Sequence, residues 1–416
     1  MKNVLKIKPT LVKNENVNTV TFKMIYPIKK DYKEANYLDI LENIVATSCK
    51  KYPNRIDFRN KKLEYCIMNL ELSNTSIGDT RYLIFTITLP KEGLIDDYDF
   101  EKSLKFALNV IKEPNFVGEA VNENEFNYEK DYFVERMKDA LQGFNAYTGN
   151  IIKHIIDPDE LMGPQYENDF EMLRNSTKED LYRFYEKNIL NGKYALYVFG
   201  NFDEKKMDTL CDKYFKQEDT SDIEYEYNYF NIIPIAPTKF TQEDIPYMQS
   251  EINIQYQVED YKEDEYVYLY MLDQLLSGSE CRLLFNELRL KNDLVYHVDN
   301  SLRSKNGYFI VYAYISNENL DKVIDKVDEV LYKTLNDKYL LTQSFKKILK
   351  SYEIDMIKEK DNEGKKISDT LNHDFHIDTL EEEYELLKKI TPEELINFIS
   401  RIKKTNTIFL RGGKND

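Results

Sequence analysis

The chain carries the same short pattern of residues in each of its halves. Asp31 to Tyr37 reads Asp-Tyr-Lys-Glu-Ala-Asn-Tyr, and Asp260 to Tyr266 reads Asp-Tyr-Lys-Glu-Asp-Glu-Tyr. Each copy follows a run in which apolar and polar residues alternate, at residues 19–26 and 251–258, as in a half-buried β-strand. Each copy also opens a helical pattern of apolar residues. The order strand, then helix, therefore occurs twice.

A second pair of matches closes the two halves in the same order. Thr177-Lys-Glu-Asp-Leu precedes an apolar run at residues 194–200, and Thr391-Pro-Glu-Glu-Leu precedes another at 407–412. A threonine followed by acidic residues is typical of a helix N-cap with an acidic first turn. The two pairs of matches together predict a duplicated α+β domain, each copy a mostly antiparallel β-sheet packed with helices.

The length of 416 residues also favours two domains of about 200 residues each. Residues 217–245 interrupt the periodic pattern and include Pro234 and Pro237, as an exposed linker does. We therefore predict an N-terminal domain over residues 1–216, a linker over 217–245 and a C-terminal domain over 246–416.

Local structure in the second half can be predicted in more detail. A helical run ends at Leu288, and alternating residues over 294–302 predict a strand. A turn ending at Gly307 leads to a second strand over 308–315. An amphipathic helix follows, with its buried face running from Leu320 to Leu331.

Composition excludes several classes of protein. The net charge of −17 argues against nucleic-acid binding, which needs clustered Lys and Arg, and favours a basic peptide or a partner surface if the charge does more than maintain solubility. No run approaches the roughly 18 apolar residues of a membrane span, and no signal peptide is evident, so we expect a cytoplasmic protein. The four cysteines form no Cys-x-x-Cys pair, which argues against a disulfide framework or a cysteine zinc site.

Residues 275–296 carry the most specific resemblance to a known family. This segment resembles the substrate-clamping segment of insulinase-like (pitrilysin-type) zinc peptidases, in which an Arg and a Tyr seven positions apart face the zinc site; here they are Arg289 and Tyr296. A guanidinium and a phenol can both donate hydrogen bonds to a peptide carbonyl. The alternative is a surface salt bridge from Arg289 to Glu287 or Asp293 and a half-buried strand tyrosine at Tyr296.

The first-half helix is similar to the zinc helix of the same family but lacks its metal motif. Asp39 and Asn43 occupy the two histidine positions of His-x-x-Glu-His, and Glu42 occupies the general-base position. The spacing places all three on one helix face. Because neutral Asn is a poor zinc ligand, we expect no metal in this chain. The alternative is a weak site for a hard cation at Asp39 and Glu42. The acidic residues 122–131 correspond to the region that supplies a third ligand in active relatives, and we assign them no metal role.

Two further groups have alternative interpretations. Ser277, Gly278 and Ser279 lie where non-catalytic subunits of related processing peptidases carry a glycine-rich, substrate-gating loop, but Ser277 or Ser279 could equally cap a helix N-terminus. His373 and His376, with acidic residues 381–383 downstream, form the one constellation in the sequence that could make the chain an independent metalloenzyme, although such pairs are usually not ligands.

The resemblance implies a non-catalytic, substrate-binding subunit of a heterodimeric zinc processing peptidase. Such a subunit carries no cofactor and supplies Arg289 and Tyr296 to the zinc site of a homologous partner that bears His-x-x-Glu-His. The substrate would be a peptide, and maturation of a bacterial peptide is one role of this kind. The alternative is a catalytically inert scaffold or core subunit of a larger complex, in which Arg289 and Tyr296 are relics.

Overall fold

The computed structural model describes residues 2–29, 34–78, 80–157, 166–226, 230–362 and 364–413. Asp31 to Lys33 of the first repeat lie outside these ranges, as do residues 227–229 of the expected linker. The strands are β1 (Lys2–Leu5), β2 (Thr10–Lys13), β3 (Thr19–Lys29), β4 (Asn69–Ile77), β5 (Thr80–Pro90), β6 (Ala195–Gly200), β7 (Ile223–Glu226), β8 (Lys239–Asp244), β9 (Ser250–Val258), β10 (Val295–Arg303), β11 (Tyr308–Ile315) and β12 (Ile402–Arg411).

The helices lie between the strands along the chain. They are α1 (Ala35–Val45), α2 (Arg55–Glu64), α3 (Phe100–Lys112), α4 (Glu123–Gln142), α5 (Phe144–Ile156), α6 (Tyr166–Asn175), α7 (Lys178–Tyr185), α8 (Glu204–Tyr214), α9 (Tyr266–Leu276), α10 (Leu320–Tyr332), α11 (Lys338–Lys360), α12 (Lys365–Asp374), α13 (Leu380–Leu387) and α14 (Pro392–Ser400). Two π-helical turns span Glu186–Leu190 and Phe285–Leu290.

The two larger sheets have the same topology. Their strand orders are β2-β6-β3-β5-β4 and β8-β12-β9-β11-β10. In each, the first pair is parallel and the other three pairs are antiparallel. Strands β1 and β7 form a separate antiparallel ribbon. The predicted α+β class is confirmed, and the repeated sequence patterns correspond to repeated strand order.

Each sheet buries one face against helices. The alternating residues Val20, Phe22, Met24 and Tyr26 of β3 belong to the apolar core of the first unit. Ile252, Ile254, Tyr256 and Val258 of β9 take the same place in the core of the second. Burial of one such side chain contributes about 1.5–3 kcal/mol, so the period-two pattern fixes which face of each strand turns inward.

The two compact units are not contiguous in sequence. The first comprises Met1–Gly143, Asp159–Tyr229 and Glu363–Phe375, and the second comprises Phe144–Pro158, Phe230–Asn362 and His376–Asp416. Each unit therefore includes one short helix from the other half of the chain: α12 in the first unit and α5 in the second. A single division at residues 217–245 does not anticipate this exchange, and β7 and β8 lie within that span as strands.

The exchanged helices pack on the sheet faces that the other helices leave uncovered. In the first unit, the Tyr197 hydroxyl donates to Asp374 of α12 at 2.6 Å, and the Tyr82 ring lies 4.5 Å from that of Phe375. In the second unit, an apolar cluster of Ile245, Ile408 and Leu410 is covered by partly buried residues, among them Phe144, Tyr147, Ile151, Ile152, Ile155 and Ile156 of α5. Both faces of each sheet are thus covered in part by helix.

Candidate functional site

Arg289 lies in the π-helical turn Phe285–Leu290, a type of turn that is frequent at functional sites. Its Nη1 donates a hydrogen bond of 2.6 Å to the carbonyl of Val295 and lies 3.2 Å from Oδ1 of Asp293. In the described part of the chain both contacts use Nη1, which leaves Nε and Nη2 available to a ligand. The guanidinium is therefore held at the start of β10 with donors to spare.

Tyr296 is the extra residue of a β-bulge. The register between β10 and β11 shifts between Val295, opposite Ile315, and His297, opposite Tyr314. Bulges re-aim side chains and are enriched near active sites. The Tyr296 side chain is 60% exposed, and its hydroxyl lies 3.0 Å from Oγ of Ser316. It is more exposed than a half-buried strand tyrosine would be.

The structure brings Arg289 and Tyr296 to the same end of β10. The carbonyl that accepts from Arg289 belongs to Val295, the residue immediately before Tyr296. Glu287, which the sequence offered as a partner for Arg289, instead binds Lys291 at 2.6 Å. The result is one guanidinium and one phenol on adjoining backbone, both partly open to solvent.

Three aromatic residues beside this pair were missed by the sequence reasoning. The His297 ring lies 5.8 Å from the Tyr312 ring and 5.4 Å from the Tyr314 ring. The Tyr314 hydroxyl donates to Oδ1 of Asn145 on α5 at 2.9 Å. The alternation of tyrosines at 308, 312 and 314 in β11 was the available signal, because every second residue of a strand shares one face.

The residues at the degenerate zinc motif are engaged with other protein groups. The Asn43 amide donates to the carbonyl of Asp39 at 3.2 Å, within α1. Oε1 of Glu42 accepts from the amide of Asn74 on β4 at 2.8 Å. Burial raises the pKa of Glu42, and the Asn74 hydrogen bond partly opposes this. Asn43 thus makes a contact within its own helix, and Glu42 links α1 to β4.

An arginine occupies the acidic region expected at the third ligand position. Arg55, the first residue of α2, forms ion pairs with Glu125 and with Oε1 of Glu129, the latter at 2.7 Å. Glu129 is only 3% exposed, and Arg55 lies over the Tyr128 ring at 5.4 Å. The Arg55 guanidinium therefore forms ion pairs with both carboxylates. A metal site in this region would need the same carboxylates unpaired, so that they could bind the ion.

A zinc ion does not fit the residues at the degenerate motif of α1. Asn43 offers no imidazole or thiolate, and its amide is directed to its own helix. Across the described ranges, no three His, Cys, Asp or Glu side chains are grouped as a metal site requires.

The segment Ser277–Ser279 ends a helix and does not begin one. Ser277 is the C-cap of α9, and its N–H donates to the carbonyl of Asp273 at 2.9 Å. The expectation that Ser277 caps a helix N-terminus was therefore wrong, because the polar residues terminate the preceding helix. Gly278 is required by close packing, since a Cβ there would lie 2.5 Å from the carbonyl oxygen of Gln274. Ser279 donates to Oε1 of Glu280 at 3.2 Å.

The two histidines that could form an independent metal site, His373 and His376, have different surroundings. His373 is in the last turn of α12, is highly exposed, and lies 3.4 Å from Oδ1 of Asp374. His376 adopts a left-handed backbone conformation with φ of 52°. Of the downstream acids, Glu382 forms a capping box with Thr379, and Glu383 accepts from the Tyr352 hydroxyl at 2.6 Å. Those two carboxylates are engaged in structural contacts.

Comparison with known proteins finds relatives of this chain. Residues 175–351 match the family model described as the peptidase M16 inactive domain. The probable inactive metalloprotease YmfF of Bacillus subtilis (strain 168) is 23% identical over 324 residues, which covers 77% of this chain and 75% of that protein. The chain is thus similar to proteins of the M16 family. The resemblance to insulinase-like, pitrilysin-type peptidases is confirmed, and the matched M16 domain is the inactive one.

Solved structures share the M16 fold over the full length of the chain. A conserved protein from Enterococcus faecalis V583 superposes with a TM-score of 0.81 at 18% identity, covering 100% of this chain and 99% of that one. Pitrilysin superposes with a TM-score of 0.63 at 12% identity, covering 99% of this chain but 44% of its own. Among the helices that the structure describes, none is both long and apolar enough to cross a membrane.

Proposed function

We propose that this chain is the non-catalytic, substrate-binding subunit of a heterodimeric zinc peptidase of the M16 type. The observation that supports it is the placement of Arg289 and Tyr296 at one end of β10. Arg289 is fixed through Nη1 to the Val295 carbonyl, and Tyr296 projects from a β-bulge. Both side chains present hydrogen-bond donors to solvent while their backbone is held by the sheet.

These two groups have the chemistry to bind a peptide carbonyl. A guanidinium stays charged at all relevant pH values and donates strongly to an oxygen that carries negative charge. A phenol hydroxyl donates a second hydrogen bond to the same oxygen. Donors positioned in advance stabilise the oxyanion that develops during peptide cleavage more than they stabilise the ground-state carbonyl.

The zinc and the general base would come from a homologous partner that bears His-x-x-Glu-His. The comparison with pitrilysin supports this arrangement, because nearly the whole of this chain corresponds to 44% of the pitrilysin chain. A complete peptidase of this fold can therefore contain a second region of similar size. The substrate is proposed to be a peptide, and peptide maturation is the role that fits a dedicated processing enzyme.

An inert scaffold subunit is the second candidate. The contact that favours it is the pairing of Arg289 with Asp293, whose side chain is 87% exposed. Such an exposed pair contributes about 0–1 kcal/mol, so it does not by itself explain an arginine at this position. In a scaffold the exposed donors of Arg289 and Tyr296 would have no function.

The two candidates differ in what substitution at the site does to catalysis. The purified chain is mixed with a homologue that carries the zinc motif, and peptide cleavage by the complex is measured. We expect Arg289→Ala and Tyr296→Phe each to lower kcat/KM by roughly 100-fold, the usual effect of losing one oxyanion donor. Arg303→Ala on β10 and Tyr339→Phe on α11, at exposed positions of the same unit, are matched controls.

Complex formation is checked separately by size-exclusion chromatography. If no complex forms and the zinc-bearing homologue cleaves peptide equally well alone, the proposed function is wrong. If the complex forms but Arg289→Ala and Tyr296→Phe cleave as fast as wild type, the scaffold role replaces it.

A further inference from the structure

The hydroxyl of Tyr296 contacts a side chain to which the proposed function gives no role. Its oxygen lies 3.0 Å from Oγ of Ser316, and either oxygen could donate the hydrogen bond. Because Tyr296 is 60% exposed, packing alone holds its ring only loosely, and the ring could rotate between staggered positions. The contact with Ser316 is therefore a restraint on where the phenol lies.

Ser316 occupies a position at which a serine ordinarily caps a helix. It is the N-cap residue of the 3₁₀ turn Asn317–Asn319, which follows β11, and its backbone is extended. Serine is favoured at helix N-caps because its side-chain oxygen accepts from a backbone N–H of the first turn. In this fully described stretch the Ser316 side chain makes no such capping bond and lies against Tyr296 instead. The side chain thus contacts the candidate site in place of its own turn.

The turn that carries Ser316 is held to the sheet by two asparagines. Oδ1 of Asn317 accepts from the Ser250 hydroxyl at the start of β9, at 2.6 Å. Nδ2 of Asn319 donates to the carbonyl of Leu294, just before β10, at 3.2 Å. A side chain on a backbone that is fixed in this way can hold its neighbour in one place.

Two turns therefore bind the start of β10 from different places in the chain. The π-helical turn binds it through Arg289, which donates to the carbonyl of Val295 at 2.6 Å. The turn after β11 binds the residues on either side of Val295, through Ser316 and Asn319. Together these contacts set the guanidinium and the phenol relative to each other. Such support matters because a displacement of about 1 Å can lower the rate of a reaction roughly 100-fold.

We propose that Ser316 is a positioning residue for Tyr296. The inference rests on the proposed function, in which Tyr296 donates to a peptide carbonyl. A hydroxyl hydrogen rotates to suit its partners, so Ser316 donates to the phenol oxygen when the carbonyl arrives, and the phenol hydrogen is directed to the substrate. Hydrogen bonds in such a chain strengthen one another, so Ser316 also makes Tyr296 a better donor. Ser316 itself touches no substrate.

Kinetics of the complex with the zinc-bearing homologue test this role. Ser316→Ala should lower kcat roughly fivefold and leave KM nearly unchanged, because one hydrogen bond between neutral groups is lost and it acts mainly in the transition state. Ser316→Thr keeps the hydroxyl and should cleave nearly as fast as wild type. Ser400→Ala, at an exposed serine on α14, is the matched control.

A double-mutant cycle separates positioning from a general structural role. Once Tyr296→Phe has removed the phenol hydroxyl, Ser316→Ala should lower kcat no further, because its partner is already absent. A Ser316→Ala effect of the same size with and without the Tyr296 hydroxyl would overturn the inference. So would a Ser316→Ala complex that cleaves as fast as wild type.

Failure of this inference differs from failure of the proposed function. If Arg289→Ala and Tyr296→Phe both cleave as wild type, the proposed function is wrong, and the role of Ser316 is wrong with it. If Tyr296→Phe is slow but Ser316→Ala is not, only the role of Ser316 is wrong.

The contact itself can be measured in the isolated chain, without a partner subunit. Fluorotyrosine is placed at position 296, and its fluorine NMR resonance is recorded. Ser316→Ala should shift this resonance, because the hydroxyl loses its hydrogen-bond partner, whereas Ser400→Ala should not. A resonance that Ser316→Ala leaves unmoved would overturn the inference whatever the kinetics show.

Discussion

Glu251 on β9 is a carboxyl group buried on the sheet face that α5 covers. It is 6% exposed, and its Oε1 accepts from the Asn253 amide at 2.9 Å. Burial raises its pKa above the ordinary value, while the hydrogen bond from Asn253 partly opposes the shift. The neighbouring Tyr314 also has a raised pKa, chiefly through burial and secondly through Glu251. The ionised form of Glu251 is thus the disfavoured one in the folded chain.

This shift predicts a loss of stability as pH rises. Because the folded-state pKa lies above that of the unfolded chain, about 4.3, the contribution of Glu251 is complete below that value and is lost as pH rises through the folded-state pKa. Glu251→Gln should therefore raise the free energy of unfolding at pH 7 by about 1 kcal/mol and change it less at pH 4.5. Urea unfolding at both pH values measures this, with the exposed Glu318→Gln as control; an equal effect at both values would contradict it.

At the residue scale, the sequence indicated which residues belong to the candidate site better than it indicated how their side chains are placed. The spacing of Arg289 and Tyr296, and the turn at Gly307, which has a φ of 76°, follow from residue types alone. The bulge at Tyr296 does not, since it depends on how β10 and β11 pair. The ion pairs of Arg55 with Glu125 and Glu129 join residues far apart in sequence, and no local pattern indicates them.

The helices α7 and α14 begin with the same capping box, one in each half. Thr177 accepts from the N–H of Asp180 at 3.1 Å, and Thr391 accepts from the N–H of Glu394 at 3.3 Å. In each box the acidic side chain also accepts a hydrogen bond from the backbone N–H of the threonine. The threonine N-caps predicted from sequence are confirmed, and both satisfy N–H groups that a helix terminus leaves unpaired.

Loss of either cap should weaken its helix by a similar amount. Thr391→Ala is expected to lower the free energy of unfolding by about 1 kcal/mol, and Thr177→Ala by about the same, because each removes one capping oxygen. Thr391→Ser keeps that oxygen and should remain within a few tenths of wild type. Denaturant melts of the three variants check this, and a Ser variant as unstable as the Ala variant would show that the methyl group, not the cap, matters.

The bounds of helices and strands with a strong apolar periodicity were predicted closely. Features that depend on contacts between distant parts of the chain were not. Strand β11 spans the predicted residues 308–315, and α10 begins at the predicted Leu320. The π-helical turn at Phe285–Leu290 was read only as a helical run, since one extra residue per turn barely alters the apolar spacing. Helix α5 shows an apolar face in sequence, but periodicity cannot state which sheet that face will cover.

The exchange of α5 and α12 makes each unit depend on a helix from the other half of the chain. A chain cut between residues 226 and 230 would leave α5 on the N-terminal fragment and α12 on the C-terminal fragment, although each belongs to the other unit. Each fragment alone would expose a sheet face that its missing helix covers. The apolar residues Ile408 and Leu410 are among those exposed in the C-terminal fragment.

A protease site inserted between residues 226 and 230 tests this coupling. After cleavage, the fragments should co-elute in native buffer and separate only in denaturant, and each made alone should unfold at a lower temperature than the cleaved pair. Ile152→Ala with Ile155→Ala on α5 should promote separation, because each truncation removes about 1 kcal/mol or more of packing at a partly buried site. Fragments that part readily in native buffer without these changes would refute the coupling.

The same exchange imposes an order on folding during synthesis. Most of the first unit has emerged from the ribosome by residue 226, yet the helix that contacts Tyr197 and Tyr82 is not made until residues 365–375. One face of the N-terminal sheet therefore stays without that cover through much of translation, when exposed sheet surface is prone to aggregation. For the second unit the order is reversed, since the covering helix α5 is synthesised before strand β12.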